Sequence, residues 1–160
     1  MADGGASELI MLITGLLTAG IVASLLISSW GGLANSVDVA QTEIEADAKT
    51  KATLTNDPML VNWNQTSCNL TLFVQNIGEI KLNIDSIGVI VNGSASTVNQ
   101  SQILGNQSLW ISGEVAELNV CPSGVSMVSG QEIFVTIIVQ SEFFKGIAGQ
   151  YSFTEVIRLV

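Results

Sequence analysis

The chain has 160 residues, with 14 acidic side chains against 5 basic ones and a formal charge of -9. This balance repels phosphate backbones and anionic lipid head groups, so nucleic acid is not an expected partner. The sequence contains no histidine, the commonest general base and metal ligand. We therefore expect a structural protein, not an enzyme, with no catalytic residues, no metal site and no cofactor.

The first predicted element is a hydrophobic helix near the N-terminus. Residues 9–30 carry no charge, and at ~1.5 Å per residue they extend about 33 Å, enough to cross a bilayer core of roughly 30 Å. A cleaved secretory signal would open with a basic segment, whereas the leader MADGG contains Asp3 and no Lys or Arg. Residues 9–30 are therefore predicted to lie in a membrane or in a bundle of like helices.

The helix is predicted to continue beyond this apolar segment, from near Ser7 to near Lys49, with Gly31 and Gly32 as the positions where it would bend. Its second half has the spacing of an amphipathic helix. The apolar stripe consists of Leu33, Val37, Ala40, Ile44 and Ala48, and the acidic residues expected to face away are Asp38, Glu43, Glu45 and Asp47. This half would require a protein partner.

Small residues recur at four-residue spacing along the apolar segment. One stripe is Gly15, Ala19 and Ala23, and a neighbouring stripe is Gly20, Ser24 and Ser28. Such stripes let helices approach closely, but these residue types are also simply frequent in membrane helices. Glu8, at the mouth of the segment, is either an interfacial residue favoured by the helix dipole or a partner for the terminal ammonium of a neighbouring subunit.

The second half of the chain is predicted to be all β. After the turn-forming Asn56-Asp57-Pro58 the sequence changes to short β-rich segments, so we place a helical region at residues 1–50 and a β domain at residues 57–160. Alternating apolar residues and turn dipeptides such as Asn92-Gly93 indicate seven short strands, which suggest a sandwich. The predicted strands are Met59–Trp63, Leu70–Gln75, Ile84–Val91, Ser108–Ile111, Val115–Val120, Glu132–Gln140 and Tyr151–Val160.

Four aromatic residues of these strands, Trp63, Trp110, Phe134 and Tyr151, are predicted to lie in the core. The acidic residues Asp85, Glu114 and Glu117 form no calcium-loop pattern, so we interpret them as surface residues. Gly-rich phosphate loops and nucleophile elbows are absent from the sequence.

Cys68 and Cys121 lie in no metal-binding or redox motif. A disulfide is expected if the domain is exported, and two buried thiols are the alternative. Asn-x-Ser/Thr sequons cluster in the β half, and they favour a glycosylated domain outside the cytosol, although single sequons also arise by chance. The acceptor residues are Asn64, Asn69, Asn92, Asn99 and Asn106.

The segments ASELIMLITGLLTAGIVASLL and NIGEIKLNIDSIGVIVNG resemble the archaeal type IV pilin-like superfamily. The opening SELIMLI is more similar to the archaellum accessory proteins FlaG and FlaF, FlaG above all, than to archaellins. The resemblance implies an α+β protein with a long N-terminal hydrophobic helix and an immunoglobulin-like β-sandwich. Family precursors are cleaved after a glycine preceded by Lys or Arg; here cleavage between Gly5 and Ala6 would follow a leader with neither, and Glu8 would become the third residue rather than the fifth.

The resemblance implies an anchoring or stator-type accessory protein of the archaellum, in the cell envelope, with its domain in the pseudoperiplasm or on the archaellum. Its partners would be the membrane, copies of itself, other archaellum subunits or the surface-layer protein. The alternative is a major filament subunit, an archaellin or adhesive pilin, assembled through the helix. A membrane-tethered binding module ranks last, because the sequence has no histidine and no clustered polar pocket residues.

Overall fold

The computed structural model describes residues 4–160. Its first element is α1, Gly4–Lys49, which confirms the long N-terminal helix and continues through Gly31 and Gly32. The chain divides into two compact units, the first ending at Gln41 and the second comprising Thr42–Val160. The last two or so turns of α1, Thr42–Lys49, therefore belong to the same unit as the strands; we call this segment the helix foot. The sequence-based division at residues 50 and 57 stays a prediction.

Eight strands follow α1. They are β1 (Ala52–Leu54), β2 (Trp63–Asn64), β3 (Asn69–Asn76), β4 (Leu82–Val91), β5 (Ser94–Ile103), β6 (Val115–Pro122), β7 (Glu132–Phe144) and β8 (Ile147–Arg158). Five of the predicted strands coincide with β3, β4, β6, β7 and β8. The Asn92-Gly93 dipeptide forms the β4–β5 turn, with both residues at positive φ, the backbone conformation that such tight hairpin turns require.

Two predicted strands are wrong. The segment Met59–Trp63 is mostly irregular, with Trp63 alone reaching β2, and Ser108–Ile111 forms no strand. Each segment is attached to the sheet by one isolated bridge, at Val61 and at Trp110. Both of these side chains are buried, so the apolar character of the two segments reflects loop residues that anchor in the core. Two strands, β1 and β5, were not predicted.

All strand pairs are antiparallel, in the order β1-β3-β6-β5-β4-β7-β8, with β2 added to β3. The sheet folds over as a sandwich, which confirms the α+β class with an N-terminal apolar helix. Pairing between β4 and β5 is restricted to Val89–Val91 against Ser94–Ser96. Beyond those three pairs the two strands separate, and the sheet splits into its two layers.

The core lies between the layers and follows the period-2 alternation that the sequence predicts. Its buried apolar residues include Leu70, Leu72, Val74, Leu118, Val120, Ile133, Val135, Ile137, Val139, Ile157 and Leu159. Trp110 is buried, and Trp63 and Tyr151 are partly buried against the core. Phe134 is not a core residue: its side chain is 60% exposed, because it points to the opposite face of β7 from its buried neighbours.

Candidate assembly surfaces

The first unit is an uncovered apolar helix surface. Residues 5–41 are all exposed in the isolated chain, and α1 is the one described helix long and apolar enough to cross a membrane. Exposed apolar surface on this scale requires lipid or other protein around it. The hydroxyls of Thr14, Thr18 and Ser36 donate to helix carbonyls one turn earlier, at 2.8–3.0 Å, so these polar groups remain hydrogen-bonded in an apolar environment.

The two stripes of small residues lie within this surface. Nothing approaches within 4 Å of a Cβ placed on Gly15 or Gly20, so both positions are open to a neighbouring helix. Glu8 is exposed near the start of α1. Helix packing at the stripes and the pairing of Glu8 stay predictions. So does cleavage between Gly5 and Ala6, whose leader lies largely outside the described residues.

The helix foot packs on the strands through a face that does not include the apolar stripe. Ala46 is fully buried and Glu45 and Lys49 are half-buried, whereas Ile44, in the predicted apolar stripe, is 68% exposed. The stripe therefore does not contact the strands, so its protein partner stays a prediction, and Glu45 packs against the β unit. The contact face is small and charged because the foot meets backbone and lysine side chains rather than the hydrophobic core.

Two acidic residues connect the helix foot to the β7–β8 hairpin. The carboxylate of Glu45 accepts hydrogen bonds from Lys145 Nζ at 2.8 Å and from Lys49 Nζ at 2.9 Å. Asp47 also contacts the hairpin, because its Oδ1 accepts the backbone N–H of Gln150 at 2.7 Å. These contacts join residues about one hundred positions apart in the chain.

The charges at this junction shift the pKa of Glu45. Hydrogen bonds from Lys145 and then from Lys49 lower the pKa of its carboxyl from 4.5 to about 2. The same carboxylate raises the pKa of Lys49. Both shifts show that the two opposite charges stabilise each other at neutral pH, and the position of Lys49 in the last turn of α1 is also favourable for a positive charge.

Two glycines allow the helix foot to approach the sheet closely. A Cβ on Gly149 would overlap the backbone of Ala46 and the hydroxyl of Thr50, and one on Gly78 would overlap the Lys49 carbonyl. Neither glycine is at positive φ, so the lack of a side chain, rather than turn geometry, explains these positions. Close approach of two backbones is a known use of glycine in strands and loops.

The loop around Gly78 also completes the end of the helix. The Glu79 N–H donates to the Lys49 carbonyl at 2.9 Å, and the Ile77 N–H donates to the Lys51 carbonyl at 3.1 Å. Carbonyls at a helix C-terminus lack partners within the helix, so a loop that supplies N–H donors stabilises the end of the helix. The β3–β4 loop therefore acts as the cap of α1.

Asn76 holds this loop in place. Its side chain is fully buried, and its Nδ2 donates to the carbonyls of Ile80 and Trp110, both at 2.9 Å. Its Oδ1 accepts the Gly78 N–H at 2.9 Å, and its backbone N–H donates to the Glu114 carbonyl at 3.0 Å. A buried amide with all of these partners fixes two loops at once, and it would be costly to leave them unpaired.

Cys68 and Cys121 are joined in the structure. Cys68 lies in the β2–β3 turn and Cys121 at the end of β6, with a Cα–Cα distance of 5.1 Å and the two sulfurs bonded. The bridge connects positions 53 residues apart. It therefore ties a turn to a neighbouring strand of the same layer.

The sequon asparagines differ in accessibility. Asn64, Asn92 and Asn99 are exposed: Asn64 ends β2, Asn92 lies in the β4–β5 turn and Asn99 lies within β5. Asn69 is half-buried in β3, and its Oδ1 is buried without a hydrogen-bond partner. The side chain of Asn106 lies outside the described residues. Occupancy of all five stays a prediction, and the exposed residues at a strand end or turn, Asn64 and Asn92, are the better acceptors.

The acidic residues considered for calcium are dispersed. Asp85 lies in β4, Glu114 precedes β6, and Glu117 accepts a hydrogen bond from Gln102 at 2.9 Å. Across residues 4–160, no three or more potential metal ligands lie together.

A long apolar helix joined to an antiparallel sandwich is the layout of type IV pilin-like surface proteins. The family model described as archaeal-type flagellin matches residues 2–153, and the chain belongs to this family. It is therefore a structural component of the archaellum, from a family of cell-surface proteins that assemble into filaments or multimers and carry a membrane-type helix. No curated protein and no solved structure matches the chain significantly.

Sequence reasoning missed the junction between the helix foot and the strands. Glu45 and Lys145 are surface-type residues a hundred positions apart, and no local pattern connects them. Gly149 is a glycine inside strand β8, and a glycine within a strand is a weak signal that another backbone segment approaches closely. Asn76 continues the buried phase of Leu70, Leu72 and Val74 in β3, and a polar residue at a buried position indicates a structural hydrogen-bonding role.

Proposed function

We propose that the chain is an anchoring or stator-type accessory component of the archaellum. Its apolar helix is embedded in the membrane or in a core of like helices, and its sandwich lies outside the cytosol, in the pseudoperiplasm or against the filament. There it binds other archaellum subunits or the surface-layer protein. The role needs no catalysis.

The observation that carries this proposal is the contrast between the two parts of α1. Residues 5–41 are entirely exposed, whereas the helix foot is built into the β unit. An anchor needs this combination: an apolar segment that is stable only in lipid or among helices, and a firm connection from that segment to the domain that binds a partner.

The connection between the helix foot and the strands is formed by several different kinds of contact. The helix foot is held by the ion pairs of Glu45, by the fit at Gly78 and Gly149, and by the loop that Asn76 fixes. Breaking these contacts would loosen the attachment of the helix foot to the strands and lower the stability of the β unit. We therefore expect Gly149→Ala to reduce swimming speed, while Gly88→Ala, in β4 with only ordinary contacts, leaves it unchanged.

The disulfide and the sequons support an extracellular position for the sandwich. With the domain outside and the helix spanning the membrane, the N-terminus lies on the cytoplasmic side. We expect glycans at Asn64 and Asn92 in material from native membranes. Intact-mass measurement tests this, because Asn64→Gln should remove one glycan mass and Asn69→Gln, at the half-buried site, should remove none.

Shearing of cells separates this role from the alternative, in which the chain is the major filament subunit. If the chain anchors the archaellum, it remains with the membranes after filaments are sheared off and is absent from, or minor in, the filament fraction. The major filament protein of the same cells is the internal control, because it must leave with the filaments. Recovery of this chain as the main repeating band of sheared filaments would overturn the anchoring role in favour of the filament role.

A further inference from the structure

Strand β5 is paired along only part of one edge. Toward β6 it pairs from Ser96 to Ile103, but toward β4 only Ser94–Ser96 are paired. On the side that faces β4, the backbone N–H and C=O groups of residues 97–103 therefore have no strand partner, because β4 and β5 separate there into different layers. Unpaired strand edges of this kind are templates for an additional strand.

The two strands at the ends of the strand order, β1 and β8, are protected. β1 has only three residues. The outer edge of β8 is covered near its end, where the Arg158 N–H donates to the Pro58 carbonyl and the Val61 N–H donates to the Arg158 carbonyl at 3.0 Å. β8 also carries the charge of Glu155. Short length, coverage and charge are the usual means of preventing unwanted strand pairing.

β5 has little of this protection. Its sequence SASTVNQSQI contains no charged residue and no proline, and its one irregularity is a register shift between Val98 and Gln100. Along a chain with a formal charge of -9, an uncharged strand of ten residues is a place where two copies can approach without repulsion.

We propose that the free edge of β5, residues 97–103, pairs antiparallel with the same edge of a second copy of the chain. A strand edge is complementary to its own two-fold image, so no further partner is required. The hydroxyl and amide side chains of β5 can then pair across the interface. This inference rests on the proposed function in one respect, because assembly of the family brings copies close together.

Asn99 lies in the middle of this edge, at the register shift. A glycan there would stand beside the incoming strand and block it, so the pairing requires Asn99 to be unmodified. Variants that test the pairing should therefore carry Asn99→Gln, which keeps an amide and removes the sequon.

Cysteine cross-linking tests the proposal, because both native cysteines are already joined and the described chain has no free thiol. Gln100 is at the centre of residues 97–103, so two-fold pairing would place it opposite itself. A register shifted by four, with its two-fold centre two residues further along β5, would do the same for Gln102. Directly opposite residues in antiparallel strands have Cα atoms ~4.5–5.5 Å apart, within the range that a disulfide bridges. Gln100→Cys or Gln102→Cys, in the full chain in native membranes, should give a cross-linked dimer on mild oxidation. Ser152→Cys, exposed on the outer face of β8, is the control and should remain monomeric.

Charge substitution provides a second, independent readout. Gln100→Lys or Gln100→Glu alone should lower the yield of dimers captured by an amine-independent cross-linker by about fivefold, from the ~1 kcal/mol cost of like charges placed opposite each other. Co-expression of the two variants should restore it. No cross-link at either cysteine position, or equal yields for like and opposite charges, would overturn the proposal. The shearing experiment does not depend on β5, so its outcome separately decides the anchoring role.

Discussion

The close approach of the helix foot to Gly149 can be tested by adding a single methyl group, in the variant Gly149→Ala. A Cβ at this position would overlap the backbone of Ala46 and the hydroxyl of Thr50, neither of which can move without displacing the helix foot. Overpacking of this kind costs ~1–3 kcal/mol. The Gly149 N–H also donates to the buried Ser141 hydroxyl at 2.9 Å, and disturbing that bond adds ~1 kcal/mol.

Gly149→Ala should therefore lower the free energy of unfolding by about 2–4 kcal/mol. The loss of backbone freedom in the unfolded chain offsets at most ~1 kcal/mol of this. For a unit of this size the midpoint of thermal unfolding should fall by about 10 °C. The assay is thermal unfolding of the full chain in detergent micelles, followed by the fluorescence of the buried Trp110.

Gly88→Ala is the matched control. Gly88 is also a strand glycine, but an added Cβ would meet only the Ile138 side chain at 3.6 Å, which is ordinary van der Waals contact, so its midpoint should change little. Gly78→Ala, which clashes with the Lys49 carbonyl, should resemble Gly149→Ala. If Gly149→Ala and Gly88→Ala unfold at the same temperature, the reasoning that the helix foot is locked against the sheet is refuted.

Three further predictions concern other contacts. The pKa of Glu45 in the folded protein is lowered to about 2, so its ion pairs stabilise the protein fully above pH 4.5 and lose their effect as the pH falls toward 2. Glu45→Gln should therefore make the midpoint of thermal unfolding less dependent on acid pH. A variant with the same dependence of the midpoint on pH as the wild type would contradict this. Asn76→Ala should cost about 2–4 kcal/mol by leaving buried carbonyls unpaired, measurable by urea unfolding, whereas a loss below ~1 kcal/mol would mean that water replaces the amide. Replacing Cys68 and Cys121 by serine removes a cross-link over 53 residues and should cost about 4 kcal/mol; wild type in reductant should match the double variant.

The parts of the fold that sequence predicted are those in which one local period decides burial. In β7, alternate residues from Ile133 to Val139 enter the core, so an apolar pattern of period 2 was sufficient. The helix at residues 9–30 was equally predictable, because an uncharged apolar segment of that length is typical of a helix that crosses a membrane. Phe134 has the opposite phase in the same alternation, so its exposure follows from its position in β7 and its aromatic character is misleading.

The parts that sequence could not predict depend on distant residues. β5 has a polar sequence, and it is a strand because β6 supplies its ladder. Trp110 and Val61 lie in loops that anchor in the core, and such loops resemble strands when read by composition alone. The side of the helix foot that packs is decided by Lys145, in a hairpin formed at the far end of the chain.

The disulfide has a consequence for proteolysis at the cell surface. Between Lys81 and Lys145 the sequence offers no lysine or arginine, so a trypsin-like protease that attacks the β3–β4 loop makes a single nick at Lys81. The bridge between Cys68 and Cys121 spans that nick, and the β3–β6 ladder spans it as well. A nicked subunit would therefore stay in one covalent piece and keep its place in the assembly, and a protease would release the sandwich only by cutting at the end of the helix.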